Sequence, residues 1–398
     1  MLTLIASGLA AVLSAWIGLL LWFARPLVTL WHEPVFRDPV LILESDDWGP
    51  GPAEHAKVLL TVTELLREFG DREHRHPVMT LGILLAVPGG AASDSEGIPE
   101  LTLLDPAFHP LVAALRAGVR EGVFHLQLHG RSHYWPEALA AASRSDPAIA
   151  RWLTGPDAWR HETLPAALQS RWAPEVGGKP FPIPDTVTRT AAEEEAMLFA
   201  ACLGTPATVA VPTTFVWNPA VERGWAAAGI RGIVTPGRYF RHRGQFADPA
   251  SAEMITNGTR SNGILYVVRD QYFEPFKGHT AVDGLRALEA NTALGRPTLL
   301  EIHRANFLDP GLLDVSLAAI RGLLREALGR HPDLRFLSTL ELVEAVEAGA
   351  PGLIDQSFRR RLAAWCARVR TLPRFWRLAR LTGLAFAIAG AQRLAGLA

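Results

Sequence analysis

The chain has 398 residues, of which 49% are hydrophobic and 20% charged, and its formal net charge is -1. That balance offers no basic face to a polyanion, so nucleic acid is not an expected partner. Two cysteines, Cys202 and Cys366, exclude a disulfide framework and a thiolate metal cluster.

The first element is apolar throughout. Leu2 to Ala24 runs 23 residues without a charge, and at about 1.5 Å per residue that length crosses the roughly 30 Å hydrocarbon layer of a membrane. No Lys or Arg precedes the run, and Trp22 to Pro26 makes a poor cleavage site. Residues 1–25 are therefore expected to be a single retained transmembrane anchor rather than a cleaved leader. Arg25 is the first charge after it and leans the following domain toward the cytoplasm.

From residue 35 to 350, short apolar runs alternate with helical patterns. Val40 to Leu43, Val78 to Val87, Val123 to Leu128, Ala207 to Val211, Gly232 to Thr235, Pro297 to Ile302 and Leu334 to Leu337 read as strands, and Gly263 to Val268 as one arm of a hairpin. Ala53 to Phe69, Pro110 to Val119, Ala191 to Leu203, Pro219 to Ala228, His279 to Leu294, Leu312 to Leu328 and a segment from Thr339 read as helices. Residues 134–185, rich in Trp, Pro and Gly, read as an insertion of short helices and loops. The alternation predicts an α/β fold with a mainly parallel sheet, open or closed as a barrel. Residues 351–398 carry nine Arg against one Asp, a charge of +8 in a chain of -1. This tail is expected to be amphipathic, either lying on a membrane surface or packed on the barrel with its Arg solvated.

Three polar clusters leave three of these strands directly. The first is ESDDWG, with Glu44, Asp46 and Asp47 in four residues; burying such charges requires a compensating cation. The second is HLQLHGRSHYW, where His129 and His133 are four apart and His125 alternates onto the face of His129. The third is LLEIHR, ending in His303 and Arg304. In parallel α/β folds functional groups collect at the carboxyl ends of strands, so three such endings point to one rim. Two His and a carboxylate suit a divalent ion with open positions, leaving a second carboxylate as base and another His as acid.

The ordered set ESDDWG, HGRSH and IHR resembles the polysaccharide deacetylases, the NodB-homology or carbohydrate esterase group, over roughly residues 38–348. The resemblance implies a distorted (β/α) barrel that removes N- or O-linked acetyl groups from a polysaccharide, glycan or glycolipid. It implies Asp46 as general base, His303 as general acid, and Asp47, His129 and His133 as ligands of one divalent ion: zinc first, with cobalt, nickel, manganese or iron as alternatives. Glu44, Trp48, His125, Arg131, Trp217, Asn218 and Arg304 are expected to line the site or stand behind it. Two family features depart. No Arg precedes Pro212, where the family's base-holding Arg is expected, and Arg131 or Arg304 stands as its replacement. No Asp-Trp pair orients the acid, and Asp270 and Glu274 are the candidates. A backbone N–H near Thr213 to Phe215 is the expected oxyanion donor. The other readings are hydrolysis of a non-sugar amide on the same scaffold, and an inactive membrane-tethered barrel that binds glycan.

Overall fold

The structure is a computed structural model that describes residues 2–92 and 97–396. Met1, Leu397 and Ala398, the outer ends of the anchor and tail expected from the sequence, lie outside the described residues.

Ten strands form the main sheet: β1 (Val40–Trp48), β2 (Met79–Leu84), β3 (Phe124–Gly130), β4 (Val209–Ala210), β5 (Gly232–Thr235), β6 (Arg260–Ser261), β7 (Ile264–Val268), β8 (Gln271–Tyr272), β9 (Thr298–His303) and β10 (Arg335–Phe336). Their order is β6-β7-β5-β4-β3-β2-β1-β9-β8, with β10 also paired to β1. All pairings are parallel except the β6–β7 hairpin. β7 and β8 stand at opposite sides of the sheet, yet only Arg269 and Asp270 separate them in the chain. The sheet therefore curls on itself, and its last seam is bridged by the chain rather than by a ladder of hydrogen bonds.

β1 shows how the layers arise. Leu41 and Leu43 point outward into a core shared with α3 (Glu54–Arg67) and α4 (His109–Arg120). Val40 and Ile42 point inward to a second core with Val209, Val234, Leu265 and Leu299. That inner core is plugged by Leu342 and Val343 of the helix Thr339–Ala348, whose start is fixed by a capping box between Ser338 and Glu341. Alternation then carries Glu44 and Asp46 inward above the apolar floor. The helices Asp185–Leu203, Ala281–Ala293 and Pro310–Arg330 cover the outer face as well.

The N-terminal segment is not one straight span. Among the described residues no single helix is long and apolar enough to cross a membrane; α1 (Leu2–Trp22) and α2 (Ala24–His32) pass that test only together, bent by 69°. Leu19, Leu27 and Leu30 pack with Phe375, Ala379, Leu384 and Ile388 of the tail, which forms three helices, Phe358–Arg368, Pro373–Leu381 and Leu384–Gly396. Arg368, buried, fastens this unit to the barrel by donating to the carbonyls of Leu294, Gly295, Glu33 and Pro34.

Candidate metal centre

The three strand-end clusters meet at one rim. β1 and β9 run in a register that places Asp46 opposite His303 and Glu44 opposite Glu301. In a regular strand Asp47 would face away from Asp46. Here the β1–β2 register slips between Ser45 and Trp48, and Asp47 takes φ +74°, a conformation that β-strand residues avoid. The bulge turns two successive carboxylates into the same cavity. The facing position on β2 is Gly82, where a Cβ would stand 2.4 Å from Asp46 Oδ1.

Asp47 Oδ1 is the point of convergence. His129 Nε2 lies 3.2 Å from it, His133 Nε2 3.6 Å and His161 Nε2 3.1 Å, all buried. The Nδ1 atoms of His129 and His133 face the carbonyl oxygens of Val211 (3.0 Å) and Gln169 (2.5 Å). A carbonyl only accepts, so in the neutral rings Nδ1 carries the hydrogen and Nε2 presents a lone pair. Those lone pairs then point at a carboxylate oxygen that is itself an acceptor and has no hydrogen-bond partner. Acceptor atoms this close repel unless a cation, or a proton on one of the rings, stands among them. The ligand atoms of Asp47, His133 and His161 lie within 4.8 Å of one another, a set that suits a divalent ion.

His161 comes from the insertion and carries no motif in the sequence. It sits in a single turn, His161–Thr163, with its ring stacked on His133 at 4.0 Å and 8°.

The two groups beside this centre are each held by a partner that motif matching does not supply. Arg269, in the link between β7 and β8, donates to Asp46 and to Glu44 (2.6 Å) and lies 3.2 Å from Glu301. One buried guanidinium thus serves three buried carboxylates. Burial raises Asp46, and the Arg269 guanidinium together with the His129 and His303 imidazoles offsets it and holds that carboxyl below its usual range. Burial raises Glu44 and Glu301 in spite of Arg269, Glu301 to about 7. On the other side His303 Nδ1 donates to Glu274, which Asn306 also holds. Burial lowers the His303 imidazole, and the hydrogen bond to Glu274 with nearby carboxylates overcomes this and lifts it to about 10. Glu274 therefore takes the orienting position, whereas Asp270 is exposed and accepts a hydrogen bond from Gln271.

These groups open into a cavity of about 1090 Å³ lined also by Trp159, Phe215, Tyr272, Phe276, Lys277 and Arg304. Arg304 lies over the Trp159 ring (5.0 Å) and donates to the Trp159 carbonyl at 2.7 Å, so it ties the insertion to the rim and does not hold Asp46.

Several expected site residues lie elsewhere. Arg131 turns away to Glu100 (2.6 Å) and cannot replace the missing Arg. Trp217 is core, donating to Glu222 (2.8 Å) and leaning on Tyr239. Asn218 caps the helix Pro219–Ala227 with its side-chain oxygen. His125 shares the inward face of His129 but sits two residues lower at each step, at the far end of the barrel, where Glu341 and Glu344 are its charged neighbours. Trp48 points outward, donates to Ser45 (2.9 Å) and packs on Phe307. Glu44 stands behind the cavity, held by Arg269 and Thr339.

No protein-family model and no curated protein matches the chain. Solved structures do resemble it. A 4-alpha-glucanotransferase from Thermococcus litoralis is 12% identical, with 89% of this chain and 48% of that one aligned at a TM-score of 0.43. This chain thus spans about half the length of that enzyme. A Mycobacterium smegmatis protein assigned as a polysaccharide deacetylase is 13% identical over 80% of this chain and 94% of its own, at a TM-score of 0.41. A family 4 acetyl xylan esterase from Clostridium thermocellum, solved with a cobalt ion, is 12% identical over 79% and 94%, at a TM-score of 0.35. At these values the likenesses are of outline only, and none bears on the chemistry of the site.

Proposed function

We propose that this chain is a divalent-metal-dependent hydrolase that removes N- or O-linked acetyl groups from a glycan or glycolipid. One observation carries the reading: three imidazole nitrogens converge within 3.1–3.6 Å on a buried, unpartnered carboxylate oxygen, between an Arg-held Asp46 and a Glu-held His303. Asp47, His129 and His133 would hold the ion, zinc first and cobalt, nickel, manganese or iron as alternatives. A bound divalent ion supplies a positive centre that polarises an acetyl carbonyl and acidifies a water.

The residues divide the proton transfers. Asp46, kept ionised by Arg269, takes a proton from the attacking water as its oxygen bonds to the acetyl carbon. His303, kept protonated by Glu274, gives its proton to the leaving nitrogen or oxygen as the bond to the acetyl carbon breaks. Acetate and the free amine or hydroxyl are the products. The half-exposed ring of Tyr272 at the cavity suits the C–H face of a sugar ring, and the polar groups around it suit hydroxyls.

The same proposal has the barrel tethered to a membrane. Leu9, Leu13, Ile17 and Leu21, four apart along α1, are exposed by 53–69% and form an unpartnered apolar stripe. Arg25 and the Arg-rich tail lean the barrel to the cytoplasmic side, where a lipid-linked sugar is the fitting substrate. A topology reporter at the C-terminus checks the side. Acetate release from a panel of N- and O-acetylated sugars, abolished by chelation and restored by zinc, tests the reaction; release that survives chelation would contradict it.

A further inference from the structure

The insertion is built into the metal centre. It supplies the carbonyl of Gln169 that orients His133, and it supplies His161. His161 is buried, its Nε2 is nearer to Asp47 Oδ1 than that of either motif histidine, and its ligand atom falls within 4.8 Å of those of Asp47 and His133. The turn that carries it rests on the rim through the Arg304–Trp159 contact. The insertion has a small core of its own, with Leu139, Ile149, Leu153, Leu164 and Leu168.

We propose that His161 is a further ligand of the same ion, and that the ion thereby pins the segment 155–170 to the rim of the barrel. This rests on the metal-centre reading above and extends it. A bond from the ion to His161 would tie the turn to the rim at a point apart from the Trp135 and Trp172 packing that already joins the insertion to the barrel core, so ordering of the segment follows occupancy of the site. Trp159, His161 and Glu162 all line the cavity, so the edge that the substrate's sugar meets would be set by how this turn is held.

The test uses Co(II) as probe with the full chain in detergent, following visible absorption and amide hydrogen exchange. The wild type is expected to take up one equivalent and to gain protection across 155–170 on loading. His161→Gln is expected to bind more than about 100-fold more weakly, beyond the 10- to 100-fold that loss of a hydrogen-bonding neighbour of a ligand costs, and to gain no such protection. His161→Asp, which keeps a ligand atom, is expected to recover affinity and protection relative to Gln; a residue needed only for packing would show no such rescue. A smaller fall in His161→Gln, unchanged protection, or no rescue by Asp overturns the proposal while leaving the other ligands standing. Failure of the wild type itself to take up Co(II) overturns the metal centre as a whole.

Discussion

Arg269 reaches Asp46 from the two-residue link that bridges the open seam of the sheet. The fold therefore places the group that keeps Asp46, the proposed base, ionised where its two sides meet. Arg269→Met leaves Asp46, Glu44 and Glu301 buried around an empty place. Losing one side of such a pair costs about 3–5 kcal/mol, so the melting temperature should fall. Asp46 then ionises at higher pH, and since the base must be ionised, the acid limb of kcat/KM should move to higher pH. A melting curve and a pH profile check both; an acid limb that stays in place would remove Arg269 from the account.

Gly82 tests the placement of Asp46 without touching its chemistry. A Cβ there would lie 2.4 Å from Asp46 Oδ1, and the Arg269 contact keeps that carboxylate from simply moving aside. Gly82→Ala should cost about 1–3 kcal/mol by overpacking. It should cost kcat about 100-fold, the order expected for a 1 Å misplacement. Equal stability with full turnover would show that Asp46 need not stand there.

Glu274 holds His303 protonated. The imidazole is pushed up to about 10 by Glu274 and nearby carboxylates, against burial. In Glu274→Gln the His303 pKa should fall by about 1–3 units. The acid form is then lost sooner as pH rises, so the alkaline limb of kcat should move to lower pH. An alkaline limb unmoved in this variant would mean another group delivers the proton.

Asp46→Asn keeps the shape of the base and removes its charge. Turnover should fall by about 100- to 10,000-fold, while metal uptake, carried by other residues, stays at the wild-type level. Full activity would assign the base elsewhere.

The parts of the site readable from sequence were those that leave long periodic strands. Asp46, Asp47, His129 and His303 each follow an apolar run, and the direction of that strand fixes the end of the sheet they reach; alternation sets the face of Asp46 but not that of Asp47, which the bulge turns inward. Arg269 precedes β8, which is only two residues long and carries no period to read; Glu274, just beyond it, is legible only as one of two acidic candidates with Asp270. His161 lies in a segment of single turns, where no repeat announces which side chain faces inward. Trp217 and Asn218 were misplaced by their nearness in sequence to Pro212; Asn218 follows a stronger local demand, the unpaired N–H groups at a helix start. Composition alone gave the apolar N-terminus its length but not its shape. The bend at Phe23, between α1 and α2, goes with packing against tail helices more than 330 residues away, which composition does not encode.

The most direct measurement is the metal content of the purified full chain beside Asp47→Ala/His129→Ala. About one equivalent of a divalent ion is expected in the wild type and none in the double variant at unchanged fold. Equal content in both, or a wild type that takes up no ion when one is offered, would contradict it.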